Sequence, residues 1–152
     1  MRWRNMAPFA QAGLFGLIDG LNGAVGLTIG LLHSGAAAQL ILVALLSRAG
    51  SSSVSMAGAQ YESDDVSPTR RVKAGRVAAM GCGYLCSALL PGLGFAHSIR
   101  TGLIVFIPVT VAILVAITAF RAGHVGWARA GATTVTIFIL AVAAGLLASL
   151  AA

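Results

Sequence analysis

Five stretches of roughly 20 or more mostly apolar residues, at 9–32, 36–61, 77–95, 101–120 and 130–151, leave little of this 152-residue chain over. A helix needs about 20 such residues to cross the hydrocarbon core of a bilayer. Charge is correspondingly scarce: 9% of the residues are charged, against about 25% in an ordinary soluble domain. The mean hydropathy is +0.91. A water-soluble globule cannot cover its surface with so few polar groups. That argues against a soluble enzyme, a nucleic-acid-binding module or a disordered tail, despite the net charge of +6. No segment alternates apolar and polar residues as the strands of a membrane barrel do. The expectation is an all-α integral membrane protein, a single five-helix transmembrane bundle over residues 1–152.

Orientation follows from the basic residues between the spans. Arg2 and Arg4 precede the first span, Arg70, Arg71, Lys73 and Arg76 separate the second and third, and Arg121 and Arg129 separate the fourth and fifth. Only Arg100 stands at the opposite ends. The positive-inside rule then predicts a cytoplasmic N-terminus and an external C-terminus. Arg2-Trp3-Arg4 followed by an apolar run and Ser34-Gly35-Ala36 resembles a cleavable signal peptide. The run is longer than the usual core of about 7–15 residues, and it contains Asp19 and Asn22, so it is read as a span.

Asp19 and Arg48 are the residues an apolar bundle explains least. A charge near the bilayer centre costs about 2.5–3.5 kcal/mol on insertion scales, and such residues face a partner, a bundle interior or water. If the first two spans form a hairpin turning near Ser34, Asp19 lies level with about residue 50, within about 3 Å of the depth of Arg48. An intramembrane Asp19–Arg48 ion pair is therefore expected as one arrangement. Asp19, Gly23, Gly26 and Gly30 share one helix face, which serves either as a packing seam or as a smooth groove carrying a carboxylate. On the second span, Arg48, Ser52, Met56 and Gln60 step by four along one face. Their polar groups either line a path or bond neighbouring helices.

Glu62, Asp64 and Asp65 supply the remaining acids at the predicted cytoplasmic end of the second span. They concentrate cations at an entrance, or they are a solvated turn, with Ser67-Pro68 starting the next helix. Cys82 and Cys86, four apart, share a helix face. They form either a soft metal pair or, the favoured reading, small residues packed against a neighbour. His33, His97 and His124 fall near span ends.

Asp19-Gly20-Leu21 followed by Gly26 and Gly30 resembles the first-span pattern of the vacuolar iron transporter family. Ser55-Met56-Ala57 followed by Tyr61 and Ser63 resembles that family's second-span motif, and Ala88-Leu89-Leu90-Pro91 a stretch of its third span. The likeness is specific over residues 12–63 and loose beyond. It implies proton-coupled export of Fe²⁺, Mn²⁺ or a related divalent metal from the cytosol, by a homodimer whose path is built from the first two spans. Carried over by residue, Asp19 is the path carboxylate and Met56 the path thioether. Asn22 and Gln60 are further path candidates, Arg48 a modulating charge, and Glu62, Asp64 and Asp65 the cytoplasmic entrance. A thioether favours transition metals over magnesium and calcium.

The chain departs from the family pattern in three respects. Arg48 stands where members carry a small residue or an acid, Gln60 replaces a glutamate, and Ala59 replaces a glycine. The segment 62–76 is also too short for the acid-rich cytoplasmic domain of larger members, so the resemblance is to a short form lacking it. A fixed positive charge beside a dication path repels the substrate unless Asp19 neutralises it.

The expectations are thus a divalent-metal exporter with no permanently bound cofactor, Fe²⁺ or Mn²⁺ being cargo, and with the bilayer and a second copy as partners. The alternatives are a transport-silent homologue held by an Asp19–Arg48 pair and a carrier of organic anions drawn to Arg48. An enzyme is not expected, because no His/Glu metal motif or nucleophile–base pair occurs at a common depth. Apart from Lys73 every basic residue is arginine, and alanine and glycine abound, which points to a GC-rich bacterial genome and a plasma membrane.

Overall fold

A computed structural model of the chain describes residues 8–64 and 69–150. They form α1 (Pro8–His33), α2 (Ala38–Ser63), α3 (Arg70–Leu89), α4 (Ile99–Val125) and α5 (Trp127–Leu150), with a 3-10 segment, Leu90–Ala96, between α3 and α4. Five helical stretches are long and apolar enough to cross a membrane, as the hydropathy predicts. No strand occurs among the described residues.

The helices overrun the predicted spans at their basic ends. α3 starts at Arg70 rather than 77, because the Thr69 hydroxyl accepts from the Val72 backbone N–H at 3.3 Å and caps it. Thr69 is thus the cap of α3; Ser67 and Pro68 lie outside the described residues. α4 continues to Val125 and α5 begins at Trp127, so Arg121 and Arg129 sit on helices and not in a loop. The single residue between them, Gly126, has φ 85°, a conformation that favours glycine, and its N–H bonds the Ala122 carbonyl at 2.9 Å. Hydropathy marks where the apolar run stops, whereas a helix stops where its backbone bonds do.

α1 and α3 are the most buried spans and cross closely. A Cβ on Gly16 would collide with the Met80 carbonyl and lie 2.9 Å from the Tyr84 backbone nitrogen. On the far half of α1, the backbones of Gly26 and Gly145 meet, joining α1 to α5. Such backbone approach is the ordinary use of small residues between apolar helices. Leu21, Ile41, Leu45, Tyr84 and Phe95 are fully buried around these crossings. Pro91 opens the 3-10 segment, where its missing N–H ends α3 and returns the chain to α4. Outwards the bundle presents large apolar side chains, among them Val43, Val54, Ile104, Val115, Ile139 and Leu147. Such a surface fits helices long and apolar enough to cross a membrane.

Candidate functional site

α1 and α2 touch each other much less than each touches α3, so a seam lies open between them. Two cavities lie along it. The outer one, about 530 Å³, is lined by Asp19, Asn22 and Gly23 of α1, Arg48 of α2, Ser34 of the turn, and the small residues Ala141 and Gly145 of α5. The inner one, about 370 Å³, is lined by Gln11 and Phe15 of α1, Met56 and Gln60 of α2, and Arg76 and Met80 of α3. Gln11, Phe15 and Asp19 step by four along one exposed face of α1. On α2, Met56 lies eight residues, about 12 Å, beyond Arg48.

The depth argument from the hairpin brings Asp19 and Arg48 into the same cavity. It does not bring them into contact. Both side chains are exposed in the single chain, and they form no direct ion pair. The Arg48 guanidinium instead lies against the bare Cα of Gly23, one turn along α1 from Asp19, in space that any Cβ at 23 would enter. The glycine face thus divides: Gly16 and Gly20 pack on α3, Gly26 and Gly30 on α5, and Gly23 alone makes room for the arginine. Packing seam and groove are both present, on neighbouring positions of one helix.

The stripe Arg48, Ser52, Met56, Gln60 is likewise shared out. Arg48 serves the outer cavity, while Met56 and Gln60 serve the inner. Ser52 is half-buried between them. Its neighbours Ser51 and Ser53 donate to the carbonyls of Ser47 and Gly50 in their own helix, at 2.9 Å each. Those two serines therefore do not bond across helices through these contacts.

At the end of α2, Glu62 is exposed, as an entrance acid would be. Asp64 is not free to collect cations. Its side chain is 0% exposed, and Oδ1 accepts from Arg76 Nη1 at 2.9 Å, with the Arg76 side chain 20% exposed. This charge-assisted bond holds the end of α2 to α3. The ammonium of Lys73 adds a second tie, 4.2 Å from the centre of the Tyr61 ring. Asp65 lies outside the described residues.

Cys82 and Cys86 are exposed on α3, so they do not serve as small packing residues within the chain. His33 ends α1, His97 sits between the 3-10 segment and α4, and His124 is near the end of α4 with Nδ1 3.0 Å from the Phe120 carbonyl oxygen. Among the described residues, no three His, Cys, Asp or Glu side chains cluster as a metal site. Sequence reasoning passed over Met80, Gln11 and the α5 wall at Ala141 and Gly145. The four-residue steps from Asp19 through Phe15 to Gln11 were there to be read. Met80 carried no signal, because its place in the same cavity as Met56 depends on how α3 packs beside α2. No model of a known protein family matches this chain, and no curated protein matches it.

Proposed function

We propose that this chain is a membrane transporter exporting a divalent transition metal, Fe²⁺ or Mn²⁺, from the cytosol, with proton coupling, along the α1–α2 seam of a homodimer. The observation that supports this most is the outer cavity, where Asp19 and Arg48 stand unbonded in the open flank of an otherwise apolar bundle. A charge facing lipid at that depth costs at least about 2.5–3.5 kcal/mol. The flank must therefore be wet, covered by protein, or both. A second copy laid against α1 and α2 covers it while leaving an aqueous path inside.

In this reading Asp19 supplies the negative charge and the proton-exchanging group, Asn22 adds a neutral oxygen, and Met56 and Gln60 border the route at its inner end. Glu62 draws cations toward that end. The N-terminus is cytoplasmic, the C-terminus external, and the membrane is a bacterial plasma membrane. The protein is a carrier without enzymatic activity or a resident cofactor, and it binds no nucleic acid.

A second reading is favoured by the seat of Arg48 on Gly23, which puts a fixed positive charge in the outer cavity. In it the chain is a transport-silent structural or regulatory membrane protein, with Arg48 closing the seam. Purified protein in liposomes decides between them. Metal-dependent Fe²⁺ or Mn²⁺ flux above empty vesicles, lost in Asp19→Ala, supports transport. Flux equal to empty vesicles in wild type and in Arg48→Gly rejects it.

A further inference from the structure

The inner cavity holds two thioethers and no carboxylate. Met56 of α2 and Met80 of α3 both line it, together with the amides of Gln11 and Gln60 and the hydroxyl of Ser63. Met80 is only 6% exposed and borders this cavity. Arg76 also borders the space, with its guanidinium bonded to Asp64.

We propose that Met56 and Met80 form a subsite for a soft monovalent cation of the Cu⁺/Ag⁺ class at the inner end of the seam. Its place on a transport route rests on the transporter reading above; its binding chemistry does not. Two properties of the cavity select this class. Thioether sulfur is uncharged and polarisable and prefers soft ions, whereas hard dications need several oxygens, usually carboxylate. The oxygens here are neutral amides and a hydroxyl. Gln60 and Gln11 complete the set as weak oxygen donors, which suits an ion that must leave again.

The test uses full-length protein in detergent, carrying Cys82→Ser and Cys86→Ser so that the exposed thiols do not take the silver, in chloride-free buffer. With methionine methyl groups labelled by ¹³C, Ag⁺ is expected to shift the Met56 and Met80 resonances together, saturating at one ion per chain. Met56→Leu and Met80→Leu, which conserve side-chain volume, identify the two signals. Each is expected to weaken silver binding at least about tenfold. Zn²⁺ at the same concentration is expected to leave both signals in place. Independent titration of the two methyls, no shift, or an equal response to Zn²⁺ would overturn the proposal. Asp19→Ala separates this idea from the transporter reading: it removes divalent flux if that reading holds and leaves the silver-induced shifts unchanged. Shifts as expected in a wild type that carries no Fe²⁺ or Mn²⁺ would remove the transporter reading alone.

Discussion

The chain treats its two sets of opposite charges in opposite ways. At the basic end of the bundle, where water is close, Asp64 and Arg76 are joined at 2.9 Å and the carboxylate is fully covered. Midway along α1 and α2, where an isolated charge is most costly, Asp19 and Arg48 share a cavity without bonding. A fold selected only for stability would pair the deep charges first. The first pair ties two helix ends together; the second set is held apart beside small residues that leave room around it. In the proposed reading, Asp19 and Arg48 are kept for what enters the space between them.

Substitutions at the two places sharpen or break that contrast. The largest effect is expected for Asp19→Ala, which should reduce metal-dependent flux in liposomes to the level of empty vesicles while the protein still elutes as wild type from a sizing column. Flux above half the wild-type rate would remove Asp19 from the path. Next comes Asp64→Asn. Removing one partner of a buried pair costs about 3–5 kcal/mol, and the partial exposure of Arg76 puts this case near about 3 kcal/mol. Thermal unfolding in detergent should show a clear fall in Tm. An unchanged Tm would mean that the α2–α3 end does not depend on the pair.

Arg48→Ala should act on transport rather than on the fold. With the guanidinium gone, a dication in the outer cavity meets Asp19 alone, and flux should rise several-fold, with stability within about 1 kcal/mol of wild type. A fall in flux would show that Arg48 assists passage. The smallest effect is expected for Gly23→Ala. The new methyl displaces only the far end of a flexible side chain, and alanine gains up to about 1 kcal/mol of helix propensity. Stability should therefore hold while Mn²⁺ flux changes by less than in Arg48→Ala. A large loss of Tm would instead place Gly23 among the packing glycines with Gly16.

Much of this was legible along the chain. The spans are local facts, since an apolar run of sufficient length is helical in lipid whatever its neighbours are. The common depth of Asp19 and Arg48 was legible too, because a tight turn and a fixed rise per residue fix height. Helix limits were less so: Arg70, Arg121 and Arg129 are polar residues that a window of hydropathy assigns to loops, and a Thr69 cap and a lone Gly126 keep them helical. The roles of Asp64 and the cysteines were not legible. Whether a carboxylate is solvated or buried, and whether a thiol faces a helix or the outside, depends on the rotation of one helix beside another.

The sequence by itself determined that five helices are long and apolar enough to cross a membrane, and the height along its helix at which each unusual side chain lies. These quantities follow from composition and from 1.5 Å per residue along a single helix. Only the tertiary structure decided which faces meet. It set Arg48 on Gly23 instead of on Asp19, buried Asp64 against Arg76, and placed Met80 and Met56 on the lining of one cavity. The physical reason is that rotation about a helix axis leaves hydropathy and depth unchanged, while moving a side chain from one neighbour to another. It is fixed by where backbones come close, at Gly16 against α3 and Gly26 against Gly145.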